Sequence, residues 1–339
     1  MKERLRLIRP AHCLKNLLVL LPLVFSGKLT QAPSAIQALC AFVCFCLLSS
    51  AVYVFNDLCD LTRDRLHPRK CTRPLAAGTV RIPEAVGIAV LLLSALTALS
   101  IWQALPTRAW LCLGAYLLLN LCYSLELKNI PILDVLLLAA GFELRVLFGA
   151  AVIGVPVSSW LYLTVAFFSL YMGFGKRRGD ARSASAATVY TPVFLERAMQ
   201  LCLTLALVFY SLWSAGAGLA GSRMLWTVPL AVCICLKYSR AAEADADGDP
   251  VEVLLHDRTL LGMAVAFAAL VLAKCGARPI LLERGQCGEQ RQRDVQRFWA
   301  TGELDTESNV QFGEGGAGAF SPRRTPRRKP RGSYRWMPW

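Results

Sequence analysis

The sequence predicts an all-α, polytopic membrane protein with about nine transmembrane helices in a bundle. Three observations predict it. Hydrophobic residues make up 55% of the 339, and the mean hydropathy is +0.45. Charged residues are only 18%, below the roughly 25% of soluble domains. Apolar runs recur at 16–31, 35–55, 82–102, 107–124, 132–153, 158–175, 197–218, 223–239 and 259–275, most of them close to the ~20 residues a bilayer asks of a helix.

Composition excludes several classes. A net charge of +14 would suit a nucleic-acid binder. The bases sit instead at the ends of apolar runs and in the C-terminal stretch, so the expected partner is membrane lipid and not nucleic acid. Most of the thirteen cysteines lie inside apolar runs, as Cys40, Cys44, Cys46, Cys233 and Cys235 do, where they act as small hydrophobes. No CxxC pair occurs and the three histidines are far apart, so a zinc or haem site is not expected. No small-residue cleavage site follows Lys15, and no cleavable signal peptide is expected.

In chain order, residues 1–15 are basic, with Lys2, Arg4, Arg6, Arg9 and Lys15. The connection after the second span carries Arg63, Arg65, Arg69, Lys70, Arg73 and Arg81. Lys128 follows the fourth span, Lys176, Arg177, Arg178 and Arg182 follow the sixth, and Arg240 and Arg258 flank the eighth-to-ninth connection. The alternate connections hold only Lys28, Arg108 and Arg223. By the positive-inside rule the N-terminus and the charged loops face the cytoplasm, which places the active site on that side of the plasma (inner) membrane. The chain divides into a catalytic membrane domain, 1–280, and a basic tail, 281–339, whose Gly, Pro and Arg content reads as disordered.

The chemistry is concentrated in one stretch. Asn56, Asp57, Asp60 and Asp64 follow directly on the second apolar run, at spacings that set all four on one helical face. Like charges so placed repel by about 0.2–0.5 kcal/mol per pair in water, and more beside a membrane. Something positive is therefore expected between them. Hard oxygen donors suit Mg²⁺, which binds through one or two carboxylates plus substrate phosphates. The glycine and closing glutamate of an EF-hand loop are absent. The same connection runs on through His67-Pro68-Arg69-Lys70 to Arg73 and Gly78. Carboxylates beside bases suit a magnesium–diphosphate ligand, the bases gripping the remaining oxygens.

Three further stretches lie on the same side. The fourth-to-fifth connection reads Tyr123-Ser124-Leu125-Glu126-Leu127-Lys128-Asn129-Ile130-Pro131-Ile132-Leu133-Asp134. Glu143 and Arg145 lie within the fifth, so they should face the bundle interior, either in structural pairs or, for Arg145, reaching a phosphate. Gly173-Phe174-Gly175-Lys176-Arg177-Arg178-Gly179-Asp180 reads as a loop with a phosphate clamp or, alternatively, as a topological stop.

These residues carry a resemblance. Asn56-Asp57 with Asp60 and Asp64 after a second span resembles the UbiA superfamily of membrane prenyltransferases. Arg9-Pro10, Lys15-Asn16, His67-Pro68, Arg73-Pro74, Ala77-Gly78, Tyr123-Ser124, Lys128, Pro131, Gly141-Phe142, Leu144-Arg145, Gly175-Lys176-Arg177 and Asp257-Arg258 resemble its decaprenyl-phosphate 5-phosphoribosyltransferase branch, over about residues 1–280. Aromatic prenyltransferases of the superfamily carry a second Asp-rich motif after the sixth span. Here that place holds Lys176-Arg177-Arg178 with only Asp180. One acidic and one basic stretch suit two phosphorylated substrates, or one with phosphate at both ends.

The resemblance implies a membrane pentosyltransferase that moves 5-phosphoribosyl from phosphoribosyl diphosphate to a polyprenyl phosphate and releases diphosphate. It implies Asp57, Asp60 and Asp64 as catalytic residues, holding Mg²⁺ together with Asn56. Substrate would meet Lys15, Asn56, Arg73, Tyr123, Lys128, Arg145, Lys176 and Arg177. In that branch the product feeds cell-wall biosynthesis. The alternatives are an aromatic or quinone prenyltransferase using a prenyl diphosphate, and a carrier of phosphate lipids without chemistry. Oligomeric state is left open, a homo-oligomer included.

Overall fold

The computed structural model describes residues 2–66, 70–125, 127, 130–182, 190–216, 221–244, 253–254 and 256–276. The stretch 281–339 lies outside them, as do Lys128 and His67-Pro68-Arg69. Every regular element among the described residues is helical: α1 Lys2–Ile8, a 3-10 run Pro10–Leu20, α2 Leu21–Phe25, α3 Ala32–Cys59, α4 Leu61–Leu66, α5 Ile82–Trp102, α6 Thr107–Leu125, α7 Leu133–Ile153, α8 Ser159–Arg182, α9 Pro192–Gly216, a 3-10 run Gly221–Thr227, α10 Val228–Ala244 and α11 Arg258–Gly276. Short 3-10 turns occupy Lys28–Thr30 and Lys70–Thr72. Among the described residues, six helical stretches are long and apolar enough to cross a membrane: Glu3–Phe25, Ala32–Cys59, Ile82–Trp102, Thr107–Leu125, Leu133–Ile153 and Pro192–Ala215.

The helices start and stop where their sequences require. Prolines open α3 and α5, where a missing N–H costs nothing. Gly154 ends α7 in the left-handed conformation (φ 63, ψ 44), and its N–H returns to the Ala150 carbonyl. α3 and α7 form the centre of the bundle, being about half buried over their apolar windows, against 17% for α5 and 22% for α6. Phe45 of α3 packs edge-on to Tyr116 of α6 at 4.7 Å and tilted on Phe148 of α7 at 5.5 Å. Outward faces carry exposed Leu91, Ile101, Trp102, Leu111 and Leu118. Such a surface suits lipid tails as its solvent.

Two elements differ from the sequence reading. The first span, expected at 16–31, begins before residue 10 and is largely a 3-10 run. Runs of that kind longer than three or four residues are uncommon. Here the tight coil is held by tertiary contact: Asn16 Nδ2 donates to Ser49 Oγ at 2.9 Å, and the Val19 carbonyl lies against Gly149. A Cβ at Gly149 would sit 2.0 Å from that oxygen. Gly149→Ala should therefore force α7 off the first span and cost about 1–3 kcal/mol or more. Thermal unfolding in detergent checks this; an unchanged midpoint would contradict the close approach.

The second difference is at 173–180, read as a loop. It belongs to α8, which continues helical to Arg182. Gly173 serves packing within it. A Cβ at Gly173 would come 2.7 Å from Val135 Cγ1 of α7.

Candidate active site

The acidic stretch bends once and keeps its register. α3 ends at Cys59, Asp60 takes φ −91 and ψ 7, and α4 follows. The Asp60 N–H still donates to the Asn56 carbonyl at 2.9 Å, and the Asp64 N–H to the Asp60 carbonyl at 2.8 Å. The four-residue spacing therefore survives the bend. Asp57 and Asp64 are each 3% exposed.

Two buried carboxylates need compensation, and two guanidinium groups supply it. Arg73 Nη1 lies 2.6 Å from Asp64 Oδ2 and 3.2 Å from Asp57 Oδ1. Arg9 Nη2 lies 2.5 Å from Asp57 Oδ1. Both carboxylates thus converge on a single nitrogen. Arg9 sits in a left-handed conformation (φ 51, ψ 62) between α1 and Pro10, an uncommon choice for a non-glycine residue. It lies over the Tyr53 ring at 5.2 Å as well as against Asp57. The sequence reading treated Arg9 as a topological base. The Arg9-Pro10 pair was the available signal.

Asn56 Oδ1 accepts a hydrogen bond from Ser124 Oγ at the end of α6. Its neighbour Tyr123 receives Arg177 Nη2 of α8 on its hydroxyl at 3.0 Å. Adjacent residues of α6 therefore tie the acidic end of α3 to the basic end of α8. Arg177 Nε also lies 2.5 Å from Asp134 Oδ2. The Nε–H points off that line, so the contact is a charge pair more than an aligned hydrogen bond. Lys15, Asp60 and Lys176 are half-buried, and Arg178 is buried on α8.

Arg145 stands apart from these groups. It is 5% exposed within α7. Its Nε donates to Asn16 Oδ1 at 2.8 Å, Nη1 to the Gly141 carbonyl at 2.6 Å and Nη2 to the Tyr116 hydroxyl at 3.0 Å. The rings of Phe45, Tyr116 and Phe142 lie 5.0–5.2 Å from its guanidinium carbon. Glu143 is also buried, and among the described residues neither of its oxygens has a hydrogen-bond partner. Glu143 and Arg145 do not pair with each other.

Mg²⁺ can be tested against this donor set. Among the described residues no three His, Cys, Asp or Glu side chains are gathered for an ion. Mg²⁺ needs only one or two carboxylates when substrate phosphates complete its shell. Asp57 and Asp64, buried and sharing one cationic nitrogen, fit that demand.

Comparison with known proteins identifies the family. The model of the UbiA prenyltransferase family matches residues 19–252. A decaprenyl-phosphate phosphoribosyltransferase of Corynebacterium glutamicum is 32% identical over 283 residues, covering 79% of this chain and 85% of the relative. One from Mycolicibacterium smegmatis is 32% identical over 290 residues, covering 79% and 90%. Among solved structures, a UbiA homolog from Archaeoglobus fulgidus bound to DMAPP and Mg²⁺ superposes with a TM-score of 0.59 at 23% identity, over 81% of this chain and 98% of that one. That likeness shows the fold alone. The matched stretch holds the acidic end of α3 and the basic end of α8, and the chain belongs to the UbiA prenyltransferase family, a family of membrane transferases.

Proposed function

We propose that the protein transfers 5-phosphoribosyl from phosphoribosyl diphosphate to a polyprenyl phosphate, at the cytoplasmic face of the plasma membrane. The observation that carries this reading is the pairing of a carboxylate cluster at the end of α3 with Arg177 at the end of α8, joined through Tyr123 and Ser124. The relatives named as decaprenyl-phosphate phosphoribosyltransferases support it. The basic stretch standing where aromatic prenyltransferases carry a second acidic motif favours it over prenyl diphosphate chemistry.

Asp57 and Asp64 would hold Mg²⁺, which when bound would neutralise charge on the departing diphosphate, with Asp60 and the Asn56 amide completing the acidic cluster as the resemblance implies. Arg9 and Arg73 stand beside these carboxylates and are placed to take phosphate oxygens as well. Tyr123 and Arg177 hold the second phosphate-bearing group, with Lys176 beside Arg177 on α8 and Lys15 on the first span as further phosphate-binding bases. The bond from ribose C1 to the diphosphate oxygen breaks, and C1 passes through an oxocarbenium-like state. A phosphate oxygen of the polyprenyl lipid then bonds to C1. That oxygen is already anionic, so no general base is needed. The polyprenyl chain lies among the apolar helices, in contact with lipid.

The test is Asp60→Asn in purified protein with phosphoribosyl diphosphate, a polyprenyl phosphate and Mg²⁺. Diphosphate release should fall at least 100-fold, the order for losing a charge-stabilising group, with the melting temperature little changed. Wild-type turnover in this variant would sink the carboxylate assignment. Diphosphate released only from a prenyl diphosphate and an aromatic acceptor would move the activity to the other branch.

A further inference from the structure

Asp134 is a buried carboxylate in the first turn of α7, 4% exposed, that the proposed reaction does not use. A helix start asks no more of an acid than an exposed side chain near the positive end of the dipole. Asp134 does more. Its Oδ2 faces Arg177 Nε at 2.5 Å. Its Oδ1 accepts from the Tyr190 hydroxyl at 2.6 Å and from the Val135 N–H at 2.8 Å. The Tyr190 hydroxyl in turn accepts from the Ile132 N–H.

The setting of this network is built with care. Ile132 takes φ 69 and ψ −46, a conformation that β-branched residues rarely adopt. The Tyr190 ring stacks on Phe194 of α9, centroids 5.8 Å apart and planes 7° from parallel. Burial and the hydrogen bond to Asp134 push the Tyr190 phenol above its usual range, so it stays protonated and donates. Contacts therefore run from Tyr123 of α6 through Arg177 of α8 to Asp134 of α7, and on to the segment before α9.

We infer that Asp134 and Tyr190 are positioning residues that fix the Arg177 guanidinium in the orientation with which it meets a substrate phosphate. The inference rests on the proposed role of Arg177. An arginine side chain is long and rotamer-rich, and its planar fork recognises phosphate only when aimed. A carboxylate on one edge and a phenol hydroxyl on another set that aim before substrate arrives, which is how preorganisation lowers the cost of binding.

The experiment uses the full-length protein in detergent with phosphoribosyl diphosphate, a polyprenyl phosphate and Mg²⁺. Asp134→Asn keeps the side-chain shape and removes the charge. The KM for one phosphorylated substrate should rise about 10-fold with kcat changed far less, the pattern of lost binding geometry. Asp134→Glu should recover part of the loss. Tyr190→Phe, which keeps the ring stack and removes only the hydroxyl, should raise the same KM by a smaller factor. Adding Asp134→Asn to Arg177→Lys should cause little further change, since Asp134 acts only through the Arg177 guanidinium. Wild-type KM values for both substrates in folded Asp134→Asn, or fully additive effects with Arg177→Lys, would overturn the inference while leaving the activity standing. A wild-type protein that neither binds nor transfers phosphoribosyl groups would overturn the proposed function, and this inference with it.

Discussion

Replacing Arg73 by Ala is expected to abolish transfer and to lower the melting temperature of the protein in EDTA, with part of the stability returning when Mg²⁺ is added. Arg73 is the cation shared by Asp57 and Asp64, both 3% exposed. Without it, Asp64 loses its ion pair with Arg73, and among the described residues Asp57 keeps only Arg9. Breaking a buried pair by removing one partner costs about 3–5 kcal/mol. The Arg73 side chain is 29% exposed, so the cost falls toward the lower end. A divalent cation drawn to the two carboxylates would supply the missing charge, which is why Mg²⁺ should restore stability but not turnover. Thermal unfolding with and without chelator reads both effects. Equal midpoints for wild type and variant in EDTA would show that Arg73 does not neutralise these carboxylates.

Arg145→Ala should have the largest effect on folding of any single change in the central helices. The guanidinium makes three hydrogen bonds to Asn16, the Gly141 carbonyl and Tyr116, inside a cage of three aromatic rings. Truncation empties that cage and leaves the Asn16 and Tyr116 groups facing apolar surroundings. The combined loss is about 3–5 kcal/mol, enough to deplete folded protein in a domain of ordinary stability. Arg145→Lys cannot reproduce the forked geometry and should also destabilise. Folded yield and unfolding midpoint measure this. A well-folded Arg145→Ala with a raised KM for a phosphorylated substrate would instead make Arg145 a binding residue, the role considered for it from sequence.

Much of the fold was legible because apolar length is a strong signal: a run such as 132–153 has few structures open to it beside a membrane helix. The acidic site was legible for a similar reason. A four-residue spacing fixes a face, and repulsion on that face demands a cation, which in this structure is Arg73 with Arg9. Partners across the bundle were not legible. Periodicity says that Arg145 points inward but not that Asn16, 129 residues away, receives it. Asp134 was visible as the last residue of the fourth-to-fifth connection, yet nothing in that stretch pointed to Tyr190, 56 residues away. Glycines misled in the other direction. Gly173 and Gly175 were read as flanking a phosphate clamp in a loop, whereas the space lost to Val135 shows that Gly173 lets two helices touch.

The central claim is the identity of the transferred group. The direct test gives purified protein Mg²⁺, a long-chain polyprenyl phosphate and phosphoribosyl diphosphate labelled in the ribose, then extracts the lipid. Label entering the organic phase in step with diphosphate release, and absent in Asp60→Asn, is the predicted result. An unlabelled lipid phase, with prenyl groups moving from a prenyl diphosphate to an aromatic acceptor under the same conditions, would contradict it.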